Sequence, residues 1–319
     1  MPLDRHVQRL LNIVGVTQPD VARLEPEAMR RAIADLARLV DARDVPIGAT
    51  EDREIPGPGS PLPIRILTPL ADAAGALPGL IYFHGGTGVF CGIDTHDGLC
   101  RMLANASGCR VVSIEYRLAP ENKFPAAVDD SYAATRWIRD HSGELGIDPR
   151  RLAVCGDSAG ATLAAAVCQL ARSSADLEIA LQVLICPVTD VHADTESRRL
   201  FGSGYFFDMA TLTWALGHYL AKDADASDPR ISPLRCGNFS GLPPAHIHTA
   251  EFDPLRDEGK QYADALERAG VRIRYTCHPG MIHHFYCMAG AIPASRAVIG
   301  SIGNDIKVAL GYEACANSQ

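Results

Sequence analysis

Nowhere in the 319 residues is there a run of eighteen uncharged apolar residues, so nothing in the chain reads as a membrane span. Basic clusters are missing too. With a formal net charge of −8, this argues against nucleic acid or an anionic membrane as the main partner. Ten cysteines are present, from Cys91 to Cys315, but none falls in the short paired spacing of a zinc site. Most lie inside apolar runs and read as reduced thiols of a cytoplasmic protein, since disulfide scaffolds belong to short secreted chains. Charges at Asp4, Arg5 and Arg9, with no long apolar core beside them, speak against a signal peptide. Internal repeats and low-complexity tracts are absent. What remains is 47% hydrophobic and 21% charged, the balance of a soluble enzyme with a large core, and α/β folds of this length commonly form one domain.

Apolar residues at Val7, Leu10, Leu11 and Val14, and at Met29, Ile33, Leu36 and Val40, keep helical spacing and predict two amphipathic helices. Their polar faces mix acid and base, so they are expected to pack on the chain itself rather than enter a lipid surface. Five prolines between Pro46 and Pro63 mark a linker or edge region. From there on, short apolar runs predict strands at 64–68, 80–83, 111–115, 152–155, 180–186, 246–249 and 271–276. Helical patterns fall at 126–145, 159–172 and 255–269. Continuous apolar strands alternating with helices imply a mostly parallel sheet covered on both faces, with active groups at the carboxyl ends of the strands. Residues 190–234 are too long for a connection and carry many bulky apolar side chains, as expected of a lid or pocket wall.

The chemistry centres on Gly156-Asp157-Ser158-Ala159-Gly160, which joins the apolar run 152–155 to an alanine-rich helix. Strand, sharp turn and helix are the setting in which Gly-x-Ser-x-Gly presents a nucleophilic hydroxyl. A serine needs a base, and the base needs an acid to fix its tautomer. Asp253 stands at the end of the strand near Ile247, with Glu251 in reserve; Asp257 and Glu258 lie in the first helical turn, where the helix dipole accounts for them. His278, His283 and His284 follow the last strand, and adjacent His283 and His284 cannot both point inward. An oxyanion needs donors fixed in advance. His84-Gly85-Gly86-Thr87-Gly88 after the strand 80–83, with the Ala159 N–H, supplies candidates. A phosphate cradle is the other reading of these glycines, but the lysine of a P-loop is lacking. Arg117 and Glu121 read as a structural brace.

These segments together, His84-Gly85-Gly86, Tyr116-Arg117-Leu118-Ala119-Pro120-Glu121, Gly156 to Gly160, Asp253 to Gly259 and Ile282-His283, resemble the hormone-sensitive-lipase-like carboxylesterases of the α/β-hydrolase superfamily. The resemblance runs from about Arg53 to the last helix. It implies an α/β-hydrolase core at 51–189 and 235–319, N-terminal cap helices within 1–50 and a cap insertion at 190–234. It also implies a Ser158, Asp253 and His283 triad, His283 being preferred because an aromatic, Phe285, follows two residues on. The oxyanion hole would draw on Gly85, Gly86, Thr87 and Ala159, and the substrate pocket on Phe90, Asp157, Tyr205 and Phe206.

The implied activity is hydrolysis of short- to medium-chain acyl esters through an acyl-enzyme, with no cofactor and no metal. The expected partner is a small-molecule ester, without nucleic acid or stable membrane insertion, and a homodimer through the last strand and helix. An amidase or deacetylase with the same triad, or a non-catalytic receptor on the same scaffold, are the alternatives. Two departures stand out. Thr87 and Gly88 replace a third glycine and an aromatic, and a β-branched residue resists positive φ, so a shifted loop or a reshaped pocket is expected there. His284 occupies the place of a small residue.

Overall fold

The computed structural model describes residues 2–15, 21–70 and 75–311; Cys315 lies outside them. Among the described residues, the strands are β1 (Ala49–Ile55), β2 (Leu62–Thr68), β3 (Leu77–Phe83), β4 (Arg110–Ile114), β5 (Ile147–Asp157), β6 (Leu181–Ile185), β7 (Ala245–Phe252) and β8 (Ile273–Ile282). The helices are α1 (Arg5–Val14), α2 (Pro26–Val40), α3 (Asp97–Ser107), α4 (Ala126–Asp140), α5 (Ala159–Ser174), α6 (Glu196–Phe201), α7 (Met209–Tyr219), α8 (Arg256–Arg268) and α9 (Ala294–Ala309). The strands form one eight-stranded sheet in the order β1-β2-β4-β3-β5-β6-β7-β8, and β2 runs antiparallel to both of its neighbours while the rest are parallel. The chain is therefore an α/β-hydrolase fold with a mostly parallel sheet.

Side chains alternate across the sheet, and each face has its own core. Ile81, Phe83, Val112, Ile114, Leu152 and Val154 pack beneath α4, α5 and α8, while Leu80, Tyr82, Val111, Ala153, Cys155 and Val183 pack against α3 and α9. Two covered faces explain why all seven residues of β3 are buried and why its sequence shows no polar alternation. Cutting Leu80, fully buried, back to alanine would cost about 3 kcal/mol. By contrast β1, in the proline-bounded segment, is an edge strand with mostly exposed residues.

Elements extend or stop where local chemistry dictates. The strand predicted at 271–276 continues to Ile282, so His278 lies inside β8 and only His283 and His284 follow it. The helix predicted at 126–145 stops at Asp140, and helix α3 was not read from sequence at all. Helix α1 buries Val7 and Leu10 in the same cluster as Met281 and Phe285, whereas α2 places Met29 with Val89, Phe90 and Ala215 of α7. Trp214 Nε1 donates to Leu24 O at 3.0 Å, and Arg30 forms a bidentate pair with Glu121. The N-terminal segment and the 190–234 segment thus pack on one another above the carboxyl ends of the strands. No helix among the described residues is long and apolar enough to cross a membrane.

Candidate active site

Ser158 sits between β5 and α5 at φ 53° and ψ −120°, a conformation strained for a residue with a side chain. The strain is held by close packing: a Cβ on Gly160 would lie 2.0 Å from Phe83 O, so only glycine lets α5 start this near β3. The hydroxyl is thereby lifted off the strand end at the positive end of α5. His283, directly after β8, brings Nε2 to 3.1 Å from Ser158 Oγ. Its Nδ1 lies 2.8 Å from Asp253 Oδ2, and Asp253 Oδ1 accepts from the Leu255 N–H at 2.8 Å. Asp253 is fully buried and His283 nearly so. Three side chains from three strand ends, 125 residues apart at the extremes of serine and histidine, thus converge.

The remaining acids and histidines take other posts. His278 stacks on His248, and burial holds it down to about 4. Glu251 accepts from Gly280 N–H. Asp257 pairs with Arg256 and accepts from the Ser197 N–H. Glu258 is more than a helix-dipole residue: it is fully buried, accepts from Thr189 N–H and meets Arg198, pinning the start of the 190–234 segment to the core. Arg117 does not brace Glu121. It binds Asp130 through two nitrogens, and Glu121 goes to Arg30, because α2 lies over the loop.

Gly86, Thr87 and Ala159 present N–H groups that have no acceptor among the described residues, and Gly86 and Thr87 border the same cavity as Ser158. Gly86 has φ 102° and Thr87 φ 58°. Thr87 accepts the left-handed conformation, at about 1 kcal/mol, and its hydroxyl donates to Gly86 O at 2.7 Å. Gly85 is corrected as an oxyanion donor, because its N–H is committed to Asp157 Oδ1 at 2.9 Å.

Asp157 is likewise not a pocket residue. Its side chain points to the other face from the hydroxyl of Ser158, where Oδ1 also accepts from the Tyr82 hydroxyl at 2.7 Å. Burial opposes its charge, but His96 and His284 outweigh that and hold the carboxyl well below the usual range. His84 stacks on Tyr116 with centroids 4.2 Å apart, and burial pushes it down to about 3, so it stays neutral as part of the loop's frame.

The cavity over Ser158 and His283 holds about 320 Å³ and is walled by Phe90, Phe206, Phe207, Met29, Ile33 and Leu36 among others. A second, smaller space of about 50 Å³ lies on the other side of Thr87, against Ala159, Leu163, Leu212 and Tyr219. Phe90 and Phe206 are where the sequence put them. Tyr205 is not: it stacks on Phe252 at 5.6 Å and does not line either space, since the Phe206 main chain, at φ 77°, turns the two neighbours apart. Sequence reasoning missed Phe207, whose ring lies 4.5 Å from the His283 ring, and His96 beside Asp157. Only the apolar run 205–207 hinted at the first, and nothing local hinted at the second.

The chain as a whole is similar to known ester hydrolases. The family profile described as alpha/beta hydrolase fold matches residues 80–287. The carboxylic ester hydrolase LipN of Mycobacterium tuberculosis is 44% identical over 261 residues, 79% of this chain and 69% of its own. An arylesterase of Saccharolobus solfataricus is 36% identical over 309 residues, 96% of this chain and 99% of its own. Among solved structures, an ester hydrolase from the metagenome of Lake Arreo, complexed with a bipyridine phosphonate derivative, has a TM-score of 0.94 at 40% identity, covering 97% of this chain and 100% of that one.

Proposed function

Because the chain belongs to the hormone-sensitive-lipase-like carboxylesterases of the α/β-hydrolase superfamily, we propose that Ser158, His283 and Asp253 carry its ester hydrolysis through an acyl-enzyme. It is a carboxylic ester hydrolase like its relatives. The observation that carries the residue assignment is the continuous Ser158 Oγ, His283, Asp253 relay at 3.1 and 2.8 Å on the floor of an apolar cavity.

As substrate enters, Ser158 Oγ attacks the ester carbonyl and its proton passes to His283 Nε2. Asp253 holds Nδ1–H, fixes the tautomer and stabilises the imidazolium without taking the proton. Negative charge on the former carbonyl oxygen meets the N–H groups of Gly86, Thr87 and Ala159, worth about 3 kcal/mol for each donor lost. Collapse breaks the C–O bond, His283 protonates the leaving alkoxide, and the alcohol departs. Water, deprotonated by His283, then repeats the cycle on the acyl-serine to release the acid.

The main cavity, mostly apolar and about 320 Å³, suits a short- to medium-chain acyl ester, with the smaller space beyond Thr87 taking the other substituent of the carbonyl. The N-terminal helices and residues 190–234 serve as the cap over 51–189 and 235–319, since Leu36, Phe206 and Phe207 all face the serine. A cytoplasmic location is consistent with nine described cysteines that are all free thiols, and a homodimer with β8 as a sheet edge.

The test is covalent. A fluorophosphonate ester should add one equivalent to the protein at Ser158, read by peptide mass, and p-nitrophenyl acetate should give a burst of nitrophenol. Labelling elsewhere, or near-normal turnover by Ser158→Ala, sinks the assignment.

A further inference from the structure

Around Asp157, beside the triad and reached from the same cavity, lies a cluster whose side chains do not touch the reacting atoms in the proposed ester cleavage. We propose that His96, Asp157, His284 and Cys287 form a binding site for zinc, separate from the catalytic triad. One ligand atom from each of the four, imidazole nitrogen, carboxylate oxygen or thiol sulfur, lies within 4.8 Å of all the others. Tetrahedral zinc with bonds of about 2.0 Å to nitrogen and oxygen and 2.3 Å to sulfur sets its ligands roughly 3.3 to 3.6 Å apart. The edges from Asp157 Oδ2 to His96 Nε2, 3.4 Å, and to His284 Nδ1, 3.6 Å, already have this length.

Asp157 itself is built for two tasks. Its Oδ1 is taken up by the Tyr82 hydroxyl and the Gly85 N–H, at 2.7 and 2.9 Å, with His96 Nε2 at 3.2 Å. Its Oδ2 meets only longer contacts, 3.4 Å from His96 Nε2 and 3.6 Å from His284 Nδ1. This buried oxygen faces both imidazoles, with the Cys287 thiol within 4.8 Å, and the four atoms enclose a point that an ion could occupy. His96 is aimed there by its other nitrogen, which lies 2.9 Å from Thr95 Oγ1, the outer-shell contact that orients a metal-ligating imidazole. His284 is held in the left-handed region at φ 66° with its ring turned to Asp157, a strain that the small residue it replaces would escape.

The donor set selects the ion. Two imidazoles, a carboxylate and a thiolate suit zinc, and leave magnesium and calcium, which need oxygen cages, poorly served. Asp157 and the Cys287 thiolate together balance the two positive charges. On binding, the Cys287 thiol gives its proton to solvent as the Zn–S bond forms, and no electrons are transferred. A path exists, because His284 and Cys287 line the main cavity together with Thr95. Since Asp157 also holds Gly85, an ion drawing on Oδ2 pulls on the oxyanion loop, and ester turnover falls as the site fills.

The site is tested by binding, so its failure is distinct from failure of the ester assignment. Chelator-treated protein is titrated with zinc chloride against a chromophoric zinc chelator, and separately with cobalt chloride, reading the thiolate-to-cobalt charge-transfer band. We expect one tight equivalent in the wild type and in Ser158→Ala. Binding should be at least 10-fold weaker in His284→Gly and in Cys287→Ser, and the charge-transfer band absent in the latter. Cys186→Ser is the control, because Cys186, Asp253 and His283 form the other close group of such side chains among the described residues. Equal affinity in wild type, His284→Gly and Cys287→Ser overturns the proposal, as does loss of the site in Cys186→Ser, which would put the metal on the triad. Thermal melting of each metal-free variant shows that the fold being titrated is intact.

Discussion

Two buried aspartate–histidine pairs stand on either side of the same turn, and each imidazole meets a hydroxyl beyond it, but that of Thr95 is committed to Gly92 O at 2.8 Å while that of Ser158 faces the cavity. In the first, Asp253 holds His283 at 2.8 Å, and the far nitrogen of the imidazole reaches Ser158. In the second, Asp157 faces His96 at 3.2 Å, but the far nitrogen of that ring meets Thr95 and the carboxylate is spent on Tyr82 and Gly85. The two pairs share residue types, burial and similar separations. What separates them is the third partner, and hence an aspartate–histidine contact identifies nothing until the group beyond the imidazole is known.

The comparison is broken most severely at the first pair. Ser158→Ala should lower kcat/KM for a p-nitrophenyl ester by at least 10⁴-fold, and Asp253→Asn by roughly 10⁴-fold through the wrong tautomer of His283. Melting temperature should hardly move for the serine variant. If Asp253→Asn kept most of the wild-type rate while Asp157→Asn abolished it, the roles given to the two pairs would be reversed.

Asp157→Asn is the matching change in the second pair. The amide keeps one oxygen for Gly85 but turns a donor toward His96 or Tyr82, in a buried site where the mismatch is costly. We expect a loss of roughly 10²-fold in kcat, from a displaced oxyanion loop, together with about 3 kcal/mol of stability measured by urea unfolding. A stability loss without any change in kcat would show that the loop is held by Tyr116 and His84 alone.

A smaller step sharpens the contrast from the cap side. Phe207→Ala removes the ring that lies 4.5 Å from His283 and opens the cavity to water, so kcat/KM should fall about 10-fold, mostly in KM, with the pH profile unchanged. Steady-state kinetics across a series of acyl lengths would check it, and a selective loss for the longer chains is expected because the ring is part of the apolar wall.

How far these features could be read in advance depended on the range of the signal. Ser158, Asp253 and His283 each announce themselves locally, as a motif or as a polar residue just past an apolar strand, and the fold's strand order brings them together. Asp157 and Tyr205 were misplaced by adjacency: each neighbours a residue that faces the cavity, Ser158 and Phe206, yet successive side chains diverge. His96 was silent because its partner is 61 residues away and across a turn. Helix α3 escaped notice for a different reason. Its buried Leu99, Cys100, Leu103 and Ala104 keep helical spacing, but the stripe is short and starts directly after Gly98, so it does not stand out from the loop before it. The glycines of the oxyanion loop were legible, but which N–H was free was not, since Gly85 spends its donor on a carboxylate 72 residues on.

A third buried acid tests whether burial or pairing governs such groups here. Glu258 lies against Arg198 and accepts from Thr189, yet burial pushes it up to about 7 against the pull of these partners. The unfolded chain titrates this carboxyl near 4.5, so the native state binds the proton more tightly. Its contribution to stability is then full below about 4.5 and is lost as pH rises through about 7. Glu258→Gln cannot titrate. Relative to that variant the wild type should lose roughly 1–3 kcal/mol of unfolding free energy between mildly acid and mildly alkaline buffer, with kcat alike in both. Urea melts of the two proteins at matched pH values decide the matter: a wild-type advantage that grows with pH would mean that the ionised pair with Arg198 dominates, and that the 190–234 segment is fastened to the core by charge.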